Sequence, residues 1–169
     1  MAGTPSRFTP RQKAAAIAAT FAVVLPAVTL FEAGRDRGAP YRDSFAAGKP
    51  WTVCDGKLID APRRYSEAEC DEQTQREIAT NYAPPVIDCV PGLADPRRKA
   101  QLSAAILLTW NIGPHQFCRS TAARRFNAGL WRDGCEAFRL FNRANGVVLR
   151  GLVNRRAKEV AICLRGLAA

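Results

Sequence analysis

Residues 14–34 read AAAIAATFAVVLPAVTLFEAG, and the rest of the chain is organised around the join at Phe31-Glu32. From Ala14 to Phe31 no charge occurs over 18 residues, close to the length that crosses the hydrocarbon core of a bilayer. Met1 to Lys13 is polar and basic, carrying Arg7, Arg11 and Lys13, and its composition predicts a disordered tail. Glu32, Arg35, Asp36 and Arg37 follow the run. Positive residues ahead of the run and mixed charge behind it predict a cytoplasmic N-terminus and an exported remainder. Three segments result: a basic tail over 1–13, a membrane-directed helix over 14–31 and a folded domain over 32–169.

The run is weakly apolar. Seven of its residues are alanine, and Thr20, Pro26 and Thr29 interrupt it. Alanine contributes little to insertion compared with Leu, Ile, Phe or Val. A cleaved signal peptide needs a small-residue cleavage site, and Ala22 to Ala27 offers one broken by Val, Leu and Pro. A permanent anchor is the second reading. A releasable anchor is the third, and it accounts for both the weak hydrophobicity and the closeness to Glu32.

The chain has 169 residues and a formal net charge of +10, from 25 Lys+Arg against 15 Asp+Glu. Its length suits one domain with a core of its own. The charge points to an anionic partner such as a membrane surface, a bacterial wall polymer or nucleic acid, although it also serves plain solubility. The basic residues are scattered, with no basic helix or aromatic-interleaved stripe, so nucleic acid is not expected.

Six cysteines, Cys54, Cys70, Cys89, Cys118, Cys135 and Cys163, all follow the apolar run. None forms a C-x-x-C pair and the only histidine is His115, so neither a metal site nor a cofactor is expected. Dispersed cysteines in even number predict disulfides and an oxidising compartment such as a periplasm. Buried free thiols are the alternative. Position along the chain suggests Cys54–Cys70, Cys89–Cys163 and Cys118–Cys135, though many pairings are open.

Turn residues and strand formers alternate from Gly34 to Gly56, predicting a small β-hairpin region around Tyr41, Phe45 and Trp51-Thr52-Val53. Ser66-Glu67-Ala68-Glu69 has the form of a capping box and predicts a helix to about Tyr82, stopped by Ala83-Pro84-Pro85. Asp95-Pro96 predicts the start of an apolar central helix that ends at Gly113. Ser120-Thr121 starts a short helix closed by Gly129, and Trp131 to Phe141 is amphipathic. Asn145-Gly146 predicts a tight turn. Asn154 predicts the cap of a last helix running to about Leu164. The expected fold is α+β and mostly helical, with one small β-lobe near its start and a weakly hydrophobic helix ahead of it.

Two carboxylates are candidates for chemistry. Glu32 follows an apolar helix, where partial burial disfavours the charged form and suits a general acid. Asp43, in a polar turn-rich segment, stays ionised more easily. A protonated and an ionised carboxyl together are the equipment for cleaving a glycosidic bond. A helix-end Glu and a loop Asp are commonplace, so spacing alone does not decide it.

The motifs decide more. Phe31-Glu32-Ala33-Gly34, Tyr41-Arg42-Asp43 and Trp51-Thr52-Val53-Cys54 resemble the Glu, Asp and Thr signature of phage-type lysozymes, glycoside hydrolase family 24. Tyr65-Ser66-Glu67-Ala68-Glu69-Cys70, Trp110-Asn111-Ile112-Gly113, Cys118 to Gly129 and Gly151-Leu152-Val153-Asn154-Arg155-Arg156 resemble later motifs of that family, in the same order. The resemblance spans about Glu32 to Gly166, and the N-terminus is similar to that of the family's signal-anchor-release endolysins. It implies a lysozyme-like fold and hydrolysis of the β-1,4 bond between N-acetylmuramic acid and N-acetylglucosamine in peptidoglycan, for host lysis. It implies Glu32 as general acid, Asp43 assisting the attacking water and Thr52 positioning that water. It further implies Trp110 and Ser120 in the saccharide cleft and Arg155 orienting Glu32. The plain alternatives are a core Trp110, a helix-capping Ser120 and a solvated Arg155.

The chain departs from the family at Ala33, and the steps from Glu32 to Asp43 and from Asp43 to Thr52 are longer than usual, which leaves Asp36 and Asp55 as alternates to Asp43. The resemblance implies a monomer, first in the host inner membrane and then in the periplasm, with depolarisation as trigger. Disulfide isomerisation is the less favoured control, because the position expected to hold the catalytic Asp is not Cys. The competing class is a non-catalytic peptidoglycan-binding or structural protein on the same fold.

Overall fold

A computed structural model describes residues 8–31, 36–42 and 48–167. These residues fall into two compact units, one holding the chain up to Val24 and from Ile78 onward, the other Leu25–Glu77. Glu32, Asp43 and Phe45, singled out above, lie outside the described residues.

Helix α1 (Pro10–Phe31) passes from the first unit into the second. It starts inside the basic stretch because Thr9 and Gln12 cap it reciprocally: the Gln12 amide donates to Thr9 Oγ1 at 3.2 Å and the Thr9 amide to Gln12 Oε1 at 2.8 Å. Ile17, Thr20, Val24 and Val28 are buried, and their spacing of three and four residues makes one stripe along the helix. Ala14, Ala15, Ala18, Ala19 and Ala22 are exposed. The hydroxyls of Thr20 and Thr29 donate back to the carbonyls of Ile17 and Leu25, at 2.7 and 3.2 Å. The helix therefore brings no unpaired hydroxyl donor into an apolar setting.

The larger unit is helical. Its centre is α4 (Lys99–Ile112), where residues 101–109 are all buried. Asp95 caps the preceding short 3-10 turn, accepting from the Arg97 amide at 2.9 Å with Pro96 at the first position. Gly113 ends α4 with φ of 82°, a conformation costly for a residue bearing Cβ. Around it stand α3 (Ala83–Cys89), α5 (Pro114–Cys118), α6 (Thr121–Asn127), α7 (Trp131–Glu136) and α8 (Arg150–Leu164). Helix α8 packs along α4, and Gln101 Nε2 donates to the Cys163 carbonyl to tie them together.

The smaller unit contains a three-stranded antiparallel sheet, β1 (Tyr41–Arg42), β2 (Trp51–Val53) and β3 (Lys57–Ile59), and helix α2 (Glu67–Glu77). Its core is small: Val53, Cys54 and Cys70, with Ile59 and Tyr65 at the margin. So little apolar burial needs other fastenings. The Cys54–Cys70 disulfide is one. Arg37 is another, donating to Asp55 through Nε at 3.0 Å and Nη2 at 2.6 Å, and through Nη1 to Glu67 at 3.0 Å and Asp71 at 2.6 Å. Thr74 Oγ1 also donates to Asp55 Oδ2, at 2.6 Å. Burial works against the Arg37 charge, but these carboxylates hold its pKa above the ordinary guanidinium value.

Four expectations need correction. Pro84 and Pro85 do not stop a helix; they occupy the first turn of α3, where a missing N–H costs nothing. A π-helical segment, Ile78–Tyr82, joins α2 to α3. Asn154 does not cap the last helix, which begins at Arg150. The other disulfides are Cys89–Cys118 and Cys135–Cys163, not Cys89–Cys163 and Cys118–Cys135. Cys89 ends α3 and Cys118 ends α5, which pack together, while α7 brings Cys135 against α8 and Cys163. The stretch from Trp131 divides into α7 and a 3-10 turn, Ala137–Leu140. Asn145-Gly146 makes the expected turn between β4 (Arg143–Ala144) and β5 (Val147–Val148), both residues at positive φ.

Candidate active site

The capping box that opens α2 fixes the far side of the β-lobe. Ser66 Oγ accepts from the Glu69 amide at 3.2 Å and Glu69 Oε2 accepts from the Ser66 amide at 2.8 Å. From Tyr65, just ahead of that cap, the amide donates to the Gly38 carbonyl at 2.9 Å, as the Cys54 amide does to Arg37 at 2.9 Å. A Cβ on Gly38 would overlap the Tyr65 carbonyl, so the chain leaving residues 32–35 is pinned to α2 and to the end of β2.

Thr52 lies in the middle of β2, opposite Tyr41 on β1 and Leu58 on β3. It is almost wholly buried, and its hydroxyl reaches the Pro50 carbonyl only at 3.4 Å, a weak bond. That leaves the hydroxyl oriented by the sheet more than by a hydrogen bond. Arg42, next to Asp43 in the chain, lays its guanidinium over Trp51 at 4.3 Å and donates to the Lys49 carbonyl at 3.0 Å. The two alternates to Asp43 have partners of their own. Asp36 pairs with Arg64 at 2.7 Å. Asp55 is buried and gripped by Arg37 and Thr74, a fastening for the lobe.

In the helical unit, Trp110 is half-buried in the last turn of α4 and stacks at a tilt on Tyr82, with ring centroids 4.7 Å apart. Ser120 is buried and caps α6, its Oγ accepting from the Ala123 amide at 3.0 Å. Arg155 is not a solvated helix charge. Its side chain is 12% exposed and its Nε donates to Glu159 Oε1 at 3.1 Å.

Sequence reading gave no role to Arg37, Arg156 or Glu159, and it offered Asp55 only as an alternate to Asp43, not as the buried partner of Arg37. Arg156 Nη2 donates to Glu159 Oε1 at 2.9 Å, and its Nε stands 2.9 Å from Oε2. Burial pushes the Glu159 carboxyl up from its ordinary value, against the pull of Arg156 and Arg155, and the same burial lowers Arg156. The spacing Arg155-Arg156-x-x-Glu159 carried the signal, since both pairs fall on one helical face. Among the described residues no group of three or more His, Cys, Asp or Glu could hold a metal ion, and all six cysteines are in disulfides.

The fold and these motifs have known counterparts. The phage lysozyme family model matches residues 31–159. A SAR-endolysin of Enterobacteria phage P21 is 31% identical over 135 residues, covering 75% of this chain and 74% of that protein. A SAR-endolysin of Pseudomonas phage phiKMV is 33% identical over 131 residues, covering 73% and 76%. The active form of P1 phage endolysin Lyz shares the fold with a TM-score of 0.68 at 22% identity, covering 90% of this chain and 95% of that one. The chain belongs to the phage lysozyme family: it is a muramidase, a glycoside hydrolase serving as an endolysin in host lysis.

Proposed function

We propose that Glu32 is the general acid that protonates the leaving glycosidic oxygen. In the same reading Asp43 assists the attacking water, Thr52 positions it, Arg155 orients Glu32, and Trp110 and Ser120 line the saccharide cleft. The bond is the β-1,4 link from N-acetylmuramic acid to N-acetylglucosamine. What supports Glu32 is its place. In the sequence it comes directly after the last residue of a 22-residue helix.

The same helix supports a positional control. Residues 14–31 first lie in the host inner membrane with the N-terminus cytoplasmic. They then leave the bilayer and fold with the domain in the periplasm, where the enzyme acts as a monomer. The observation that carries this reading is the two-sidedness of α1. Its larger buried residues, Ile17, Val24 and Val28, lie on one stripe, and the opposite side is mostly alanine. Burying each large side chain contributes roughly 1.5–3 kcal/mol, which offsets the loss of lipid contact. The alanine face leaves little to attract another apolar surface once in water.

Fractionation of cells before and after depolarisation tests this. The reading expects the protein to move from the membrane pellet to the soluble periplasmic fraction as lysis begins. Lysis with all of the protein still in the pellet would count against it and favour a permanent anchor. A shortened soluble product would favour cleavage.

A further inference from the structure

We infer that Glu159 is a positioning residue for the muramidase reaction, acting through Arg155; the inference rests on the reading in which Arg155 orients Glu32. Arg155, Arg156 and Glu159 sit at i, i+1 and i+4 on α8, and all three side chains are buried or nearly so. A buried carboxylate needs a cation and hydrogen bonds. Arg156 supplies the cation and one hydrogen bond, Nη2 donating to Oε1 at 2.9 Å, while its Nε stands 2.9 Å from Oε2 as an ion-pair contact. The contact from Arg155 is different in kind. It uses Nε alone, at 3.1 Å, which sets the direction of the Nε–H bond while Glu159 engages neither terminal nitrogen.

The base of this contact is rigid. Glu159 lies one helical turn before Cys163, and Cys163 is held by its disulfide to Cys135 and by the Gln101 side chain on its carbonyl. A guanidinium tethered there is aimed before substrate arrives, so its aim needs no rearrangement in the reaction.

Three variants test this: Glu159→Asp, Arg155→Ala and the two combined. Glu159→Asp keeps the negative charge beside Arg156 and so keeps the buried charge balance, but it shortens the reach toward Arg155. Each protein is assayed on purified peptidoglycan well below its unfolding midpoint, with folding checked by circular dichroism. The expected result is a kcat roughly 10- to 100-fold lower in Glu159→Asp with KM unchanged, and no further loss when the change is made in Arg155→Ala. Glu159→Gln, where it folds, behaves the same way. An equal fold-loss with and without Arg155, or a normal kcat accompanied only by a lower Tm, would overturn the inference and leave the reading of Arg155 standing. A normal kcat in Arg155→Ala alone would remove that reading, and the inference with it.

Discussion

Lys13 Nζ in the first turn of α1 stands 2.8 Å from Asp88 Oδ1 on α3, across 75 residues of sequence. The pair belongs to the folded enzyme, because in the membrane-inserted state proposed above Lys13 lies on the cytoplasmic side. It is a marker of docking more than a fastener. Both side chains are partly or largely exposed, and such pairs contribute below about 1 kcal/mol. Asp88→Asn should therefore shift Tm by no more than about 2–4 °C. Raising the salt concentration should narrow the difference from wild type, as scanning calorimetry at two ionic strengths would read.

The apolar stripe does the holding. Val24→Ala, at a position with no exposed surface, should lower the stability of the soluble enzyme by about 1–3 kcal/mol. Replacing the exposed Ala18 and Ala22 with leucine should leave that stability within about 0.5 kcal/mol. It should instead strengthen insertion by a few tenths of a kcal/mol at each position. Chemical denaturation of the soluble enzyme and fractionation of cells separate the two effects: the valine change shows in the first, the leucine changes in the second.

The β-lobe depends on its staples. Changing Cys54 and Cys70 to serine opens a loop of sequence separation 16, and should cost about 3 kcal/mol. Arg37→Met strands the buried Asp55 carboxylate and should cost about 3–5 kcal/mol. Hydrogen exchange would localise both losses, with faster exchange at residues 51–59 and slow exchange retained at 101–109.

Acid acts at the start of α2. The Ser66 amide, then Arg63 and the Ser66 hydroxyl, hold the Glu69 carboxyl below its ordinary value. A depressed carboxyl stabilises the fold above its unfolded pKa, and that contribution is lost as pH falls through the folded value. The helical signal of wild type should decline on acidification below the ordinary carboxylate range more steeply than that of Glu69→Gln, as a circular dichroism titration would show.

Local chemistry made much of this fold legible. The Ser66 and Glu69 side chains, the Asp95-Pro96 pair and Asn145-Gly146 each act within a few residues, and each sits where its pattern placed it. Pro84-Pro85 misled because a proline pair is compatible with both the end of one helix and the first turn of the next. The cysteine partners depend on which helices pack together, α3 with α5 and α7 with α8, and chain position carries no record of that. Thr52 and Arg155 were singled out through motif resemblance, whereas Glu159 looks like any other acid, and the structural part of Asp55 stays hidden, until burial sets them apart.

The central claim is that Glu32 is the acid that cleaves the wall. Release of soluble saccharide from purified peptidoglycan by wild type and by Glu32→Gln, both soluble and both folded by circular dichroism, tests it most directly. Wild type should clear the wall, and the variant should do so at a rate lower by about 10²–10⁴. Equal clearing by the two proteins would contradict it.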